Sequence, residues 1–167
     1  MYHLAIVDDN ESWCFVLALR LQQQGYVVST FTDVHAFLQQ AARFDLVLID
    51  FSMPVPRYQA GMDGPEVICK VRHRLEYPPL MVLVSSFFTE DLLSHAAEIC
   101  PEADAILSKR TEATTMLRQI KQLLEQREQR DRNQGDRHYT RSSQMVSSSS
   151  RGQQGSLEQR TRREHPE

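Results

Sequence analysis

The sequence predicts an α/β fold, a parallel sheet covered on both faces by helices, and three observations carry that reading. Apolar runs of strand length recur through the first 108 residues, at 4–7, 46–49, 80–84 and, more weakly, 105–107. The runs are continuous rather than alternating, as strands buried on both faces must be. Segments of helical period separate them, so strand and helix alternate along the chain.

After the first strand, Asn10 is placed as an N-cap and Gly25 as the stop beyond the helix end, with Trp13, Val16, Leu17 and Leu21 as the apolar stripe between them. Residues 26–31, rich in valine and aromatic side chains, supply a second strand. The next helix is capped by Thr32 or Asp33 and turns Val34, Phe37, Leu38 and Ala41 to one face. Following the strand at 46–49, a third helix opens Gly64-Pro65-Glu66, where proline loses only an amide that had no partner; Val67, Ile68 and Val71 form its stripe. A fourth helix is predicted over 89–100, closed by Pro101. The fifth carries Ala113, Leu117, Ile120 and Leu124 at offsets of three and four, with Met116 and Leu123 alongside. Five strand-helix units therefore fill residues 1–126, a doubly wound five-stranded sheet large enough to bury a core.

Composition agrees with one domain and a polar remainder. The 167 residues are 41% hydrophobic and 25% charged, yet the mean hydropathy of -0.46 is low for a uniformly compact chain. Residues 1–126 hold 10 Lys+Arg against 16 Asp+Glu, and residues 127–167 hold nine arginines against six acids. In that tail only Tyr139, Met145, Val146 and Leu157 are large and apolar, and four serines run together at 147–150. The helix is expected to fray out to about Asn133, with 135–167 disordered, because so little burial cannot offset the entropy of ordering. An acidic body with a mildly basic tail argues against a dedicated nucleic-acid binder. No run reaches the roughly 18 apolar residues of a membrane span, and the first residues lack the pattern of a targeting segment, so a cytoplasmic protein is expected. Cys14, Cys69 and Cys100, odd in number and widely spaced, are read as reduced thiols rather than redox or zinc residues.

Ligands of parallel sheets bind at the carboxyl ends of the strands. There the sequence puts Asp8 and Asp9 after strand one, Asp50 after strand three, Ser85 and Ser86 after strand four, and Ser108 and Lys109 after strand five. Each residue alone has an ordinary explanation as a cap, a turn residue or a solvated charge. Together, three carboxylates would repel one another without a compensating charge, and a divalent cation with all-oxygen ligands, Mg²⁺, is the natural one. Asp50 then fits a nucleophile toward phosphorus, with Lys109 neutralising the oxygens and Ser85 donating its hydroxyl.

These residues sit in motifs that resemble the receiver domain of bacterial two-component response regulators: Val7-Asp8-Asp9, Leu48-Ile49-Asp50-Phe51-Ser52-Met53-Pro54, Met62-Asp63-Gly64, Val82-Leu83-Val84-Ser85-Ser86 and Leu107-Ser108-Lys109. The resemblance covers nearly all of residues 2–126 and implies a flavodoxin-like, CheY-like sheet in the order 2-1-3-4-5. Helices one and five cover one face and helices two, three and four the other. It implies that Asp50 is the phosphoacceptor, that Asp8 and Asp9 bind Mg²⁺ with Asp50 and the backbone carbonyl of Ser52, that Ser85 is the switch hydroxyl, and that Lys109 pairs with the phosphoryl group. A histidine kinase or histidine phosphotransfer protein is the implied donor. A downstream protein is expected either on the face of helix four, strand five and helix five or on the Arg/Ser-rich tail, and homodimerisation is allowed.

The sequence departs from the family in four places. Seven residues, 55–61, stand between Pro54 and Met62 where the family has about one, and Arg57 or Tyr58 there could shield the phosphoryl group. Arg110 replaces the usual proline after Lys109, so a trans peptide is expected. Ile106 replaces the usual aromatic switch residue. Phe87, two residues past Ser85, is placed to obstruct a hydrolytic water. The reading favoured is a stand-alone receiver with no enzymatic activity beyond its own Mg²⁺-dependent phosphorylation and dephosphorylation. The tail carries no helix-turn-helix or second core, so output is expected through a partner. A receiver-like binding module independent of phosphorylation is the alternative. A haloacid-dehalogenase-type phosphohydrolase lacks its second acid, since Ser52 stands there, and no G-x-G-x-x-G supports a dinucleotide enzyme.

Overall fold

The computed structural model describes residues 1–53 and 61–149. Arg57 and Tyr58 of the lengthened loop, and the tail beyond Ser149, lie outside the described residues. Five strands, β1 (His3–Val7), β2 (Val27–Phe31), β3 (Leu46–Asp50), β4 (Leu80–Ser85) and β5 (Ala105–Ser108), form one parallel sheet in the order β2-β1-β3-β4-β5. Helices α1 (Glu11–Gln23), α2 (Val34–Leu38), α3 (Gly64–Arg74), α4 (Glu90–Leu93), α5 (Ala96–Ile99) and α6 (Ala113–Ser149) connect and follow them.

The continuous apolar runs explain the layering. Every residue of β3 and β4 is buried, so each side chain meets a helix whichever way it points. On one face Ile6, Leu48 and Val82 pack with Leu17 and Leu21 of α1 and Ile120 of α6. On the other, Val7, Ile49 and Leu83 pack with Phe37 of α2 and Val67 and Ile68 of α3. The helices thus divide between the faces as expected.

Local signals set most helix starts. Asn10 accepts a hydrogen bond from the Trp13 amide at 3.0 Å, Asp33 from His35 and Ala36, and Asp63 from Glu66 at 2.9 Å, each satisfying an amide that the first turn leaves unpaired. Gly25, with φ of 90°, ends α1 in the left-handed region that other residues avoid.

Four boundaries or faces differ from the sequence reading. Val16 is half exposed, and Cys14 and Ala18 join Leu17 and Leu21 on the buried side of α1. Helix two stops at Leu38, and Ala41 packs from a separate 3₁₀ turn, Ala41–Arg43. The single helix expected over 89–100 is two short ones. The Asp91 carbonyl accepts from the Ser94 hydroxyl at 2.6 Å and lies 2.9 Å from His95 Nδ1, while the His95 amide turns to Leu92 at 3.0 Å. Side-chain competition for a helical carbonyl breaks the ladder there. Finally, α6 runs past Asn133 to Ser149. Glutamine, glutamate and arginine favour helix over 126–132, and the pairs Arg127–Asp131 at 3.9 Å and Glu128–Arg132 at 3.4 Å add support one turn apart there; the composition of 134–149 does not explain the rest.

Burial makes the α1 correction measurable by urea denaturation. Leu21→Ala, at a fully buried site of α1, should cost about 2–5 kcal/mol, whereas Val16→Ala should cost less than about 1 kcal/mol.

Candidate functional site

Strand register delivers the acidic residues. Val7 of β1 pairs with Ile49 of β3, so the residues that follow, Asp8 and Asp50, emerge side by side at the carboxyl edge. Asp50 pairs with Val84, and Ser85 with Ser108, which carries Ser85 and Lys109 to the same edge. Carboxylate oxygens of Asp8, Asp9 and Asp50 all lie within 4.8 Å of one another. Lys109 forms ion pairs with Asp8 and, at 3.4 Å, with Asp50. Asp8 is fully buried, Asp50 and Ser85 are buried, and Asp9 is exposed at the rim. Ser52 stands two residues beyond Asp50, past a bend at Phe51 in the segment leaving β3.

Three carboxylates thus face one ammonium. Burial and the Asp8 charge push the Asp50 carboxyl up to about 6, against the opposing pull of Lys109. For Lys109, burial alone would lower the ammonium, but its hydrogen bond to Asp8 and the charges of Asp8 and Asp50 outweigh burial and hold it above the ordinary lysine range. The donor set is all oxygen and carries an excess of two negative charges over Lys109, which fits a hard dication such as Mg²⁺. Asp8, Asp9 and Asp50 would hold it, with the carbonyl of Ser52 next in the chain.

The supports of Lys109 replace the missing proline. Its amide donates to the Ser85 carbonyl at 3.0 Å, the Ser108 hydroxyl accepts from the Arg110 amide at 3.2 Å, and the Thr111 amide donates to the Ser108 carbonyl at 3.0 Å. The peptide joining Lys109 to Arg110 is trans, as expected. The Lys109 ammonium lies 4.6 Å from the centre of the Trp13 ring, a cation–π contact that the sequence reading assigned only to the α1 stripe. Cys14 also contributes: its thiol, raised to about 11 chiefly by burial and then by Asp8, stays protonated and donates to the Asp8 carbonyl at 3.5 Å. Gly64 is a third residue whose role was not legible, for a Cβ there would meet the Asp50 carbonyl and, at 2.7 Å, Leu83 Cδ1. Only glycine lets α3 start this close to β3.

Ser85 Oγ accepts from the Phe87 amide at 3.1 Å, leaving its proton for donation outward. Phe87 itself is 77% exposed, and the ring that packs is Phe88, edge-on to Phe51 with centroids 5.6 Å apart. Ile106 is partly buried against the α2 and α3 side of the core.

The model of the response regulator receiver domain matches residues 4–127. The chain belongs to that family. This receiver domain is similar to the sensory transduction protein RegX3 of Mycobacterium tuberculosis, 34% identical over 84 residues, which are 49% of this chain and 34% of that protein. The chain therefore spans about a third of the length of the curated relatives it matches. Among solved structures it is similar to a CheY-like receiver domain protein from Methanospirillum hungatei, with a TM-score of 0.64 at 23% identity, covering 78% of this chain and 98% of the other. It is also similar to the chemotaxis response regulator CheY4 of Vibrio cholerae, with a TM-score of 0.60 at 25% identity, covering 74% and 98%. Among the described residues, no helix of this receiver is long and apolar enough to cross a membrane.

The raised Asp50 carboxyl has a measurable sign. Folding favours its protonated form, so in metal-free buffer the stability of the native protein should fall as pH rises from about 4 to about 6 through this group. Asp50→Asn removes that cost. The variant should be more stable than the native protein by about 1–3 kcal/mol at pH 7.5, with the difference vanishing below pH 4; equal stability at both pH values would refute the charge imbalance.

Proposed function

We propose that this receiver domain is a phosphorylation-controlled switch that accepts a phosphoryl group on Asp50 from a phosphohistidine of a histidine kinase or phosphotransfer protein. What carries the reading is the convergence of Asp8, Asp9, Asp50 and Lys109 in one cup at the strand ends. An Asp50 carboxylate oxygen attacks phosphorus, the P–O bond forms as the P–N bond to the donor imidazole breaks, and the imidazole leaves as the neutral base after taking up a proton. Mg²⁺, when bound, supplies positive charge to the transferring oxygens and offsets the carboxylate repulsion.

Lys109, held by Trp13 from one side and by its own amide from the other, is carried to the same oxygens. As the phosphoryl group arrives, its ammonium exchanges carboxylate partners for phosphoryl oxygen. Ser85 turns its hydroxyl proton to another of those oxygens, and since its oxygen also holds the Phe87 amide, the movement pulls on the segment that enters α4. The change is read on the face of α4, α5, β5 and the first turns of α6, where a downstream protein docks. With Ile106 in place of an aromatic side chain, the coupling runs through backbone and packing rather than a ring flip. No further enzymatic activity is assigned, and the reading places the chain in the cytoplasm with its kinase.

Incubation with Mg²⁺ and acetyl phosphate should add one phosphate by mass to the native protein and none to Asp50→Asn. Absence of the adduct in both would instead favour a binding module independent of phosphorylation. Phe87 is tied to Ser85 through its amide and its ring is exposed, and Phe87→Glu should shorten the lifetime of the phosphorylated form, as followed by loss of the mass adduct with time. An unchanged lifetime removes that role.

A further inference from the structure

Away from the acidic cup, a thiol, an imidazole and a second carboxylate meet where α3 passes the turn into β5. The helix starts beside Asp50, where the Gly64 amide donates to Phe51, and runs back to the opposite edge of the sheet. Cys69 and His73 lie one turn apart on it, on a common stripe. From the turn before β5, Glu102 Oε1 stands 3.7 Å from Cys69 Sγ and 3.7 Å from His73 Nε2, and the three donor atoms all lie within 4.8 Å of one another.

The Cys69 thiol donates to Glu102 Oε1, and the same separations are also those of ligand atoms around one metal ion. Four-coordinate zinc, with bonds of about 2.3 Å to sulfur, about 2.0 Å to nitrogen and about 2.1 Å to oxygen, has edges of roughly 3.4–3.6 Å between ligands. A His–Glu contact of 3.7 Å, by contrast, is too long for a hydrogen bond. The carboxylate is also pre-positioned. Arg72 Nε donates to the Glu102 carbonyl at 2.8 Å while its Nη2 pairs with Asp104 at 2.5 Å, so the guanidinium clamps the turn and is itself neutralised by Asp104. Asp104 accepts in addition from the Met81 amide at 2.7 Å. The second oxygen of Glu102, Oε2, is buried without a hydrogen-bond partner. The His73 side chain is 72% exposed, which opens the cluster to solvent.

We propose that Cys69 Sγ, His73 Nε2 and Glu102 Oε1 form a binding site for a zinc-class divalent cation, with water completing a four-coordinate shell. A sulfur–nitrogen–oxygen donor set selects this class over Mg²⁺, so the site and the acidic cup take different metals. Binding releases the Cys69 thiol proton to solvent and staples α3 to the turn that leads into β5.

The test is titration of the full chain with Co²⁺ under reducing, oxygen-free conditions. The native protein should develop a sulfur-to-cobalt charge-transfer band, which the all-oxygen cup cannot produce, and Zn²⁺ should bleach it. Cys69→Ser should abolish the band, and His73→Asn and Glu102→Gln should each weaken Co²⁺ binding at least about tenfold. Cys14→Ser should leave it unchanged. His73 is exposed enough that its substitution leaves the fold intact, which a circular dichroism melt of the same sample checks. No band in the native protein, or undiminished affinity in folded His73→Asn, overturns the proposal whether or not Asp50 accepts phosphate.

Discussion

An unbalanced cup of charge governs this molecule. Three carboxylates share one ammonium at the end of a buried sheet, and the core gives the buried pair, Asp8 and Asp50, no room to separate, while Asp9 stands exposed at the rim. Asp8 and Asp50 leave adjacent, fully buried strand ends, so their spacing is set by the parallel ladder. Lys109 answers Asp8 and Asp50 at once, which is why so much local structure is devoted to it: the Ser85 carbonyl below, the Trp13 ring beside it and the Ser108 hydroxyl behind. The repulsion that remains is the physical basis for affinity toward a dication.

Much of the fold was legible because fully buried strands write themselves as continuous apolar runs, and capping residues mark helix starts by their own hydrogen-bonding chemistry. The positions of Asp8, Asp9, Asp50, Ser85 and Lys109 followed from the rule that strand ends carry ligands. The remainder depended on contacts between distant residues. Trp13 carries the same apolar signal as a core residue, and only the folded approach of the start of α1 to the loop after β5 shows its ring beneath Lys109. Gly64 could be read as a helix start but not as the point where α3 nearly touches the Asp50 backbone.

Other misreadings have equally local causes. Val16 and Leu17 are neighbours on a helix of moderate amphipathic contrast, and periodicity alone did not decide which of them faces the sheet. The interruption at Ser94 and His95 comes from side chains competing for one carbonyl, a choice invisible to hydrophobic pattern. Cys69 is read in the sequence as a thiol with no cysteine or metal-spaced histidine nearby, a reading that passes over His73 one helical turn away. Its carboxylate partner comes from 33 residues further on, a separation that no local window spans.

The two short helices after β4 contribute no buried residue of their own, and the segment is held at its ends by Phe88 and Cys100. Such a stretch opens at a free energy far below that of global unfolding and belongs to the least protected cooperative units of a domain. Its amides should therefore exchange with solvent sooner than those of β3 or β4. On the proposed switch reading, a small tug from Ser85 acts on this loosely packed stretch, and the signal leaves the site as a change in local order and not as a displacement of the buried sheet.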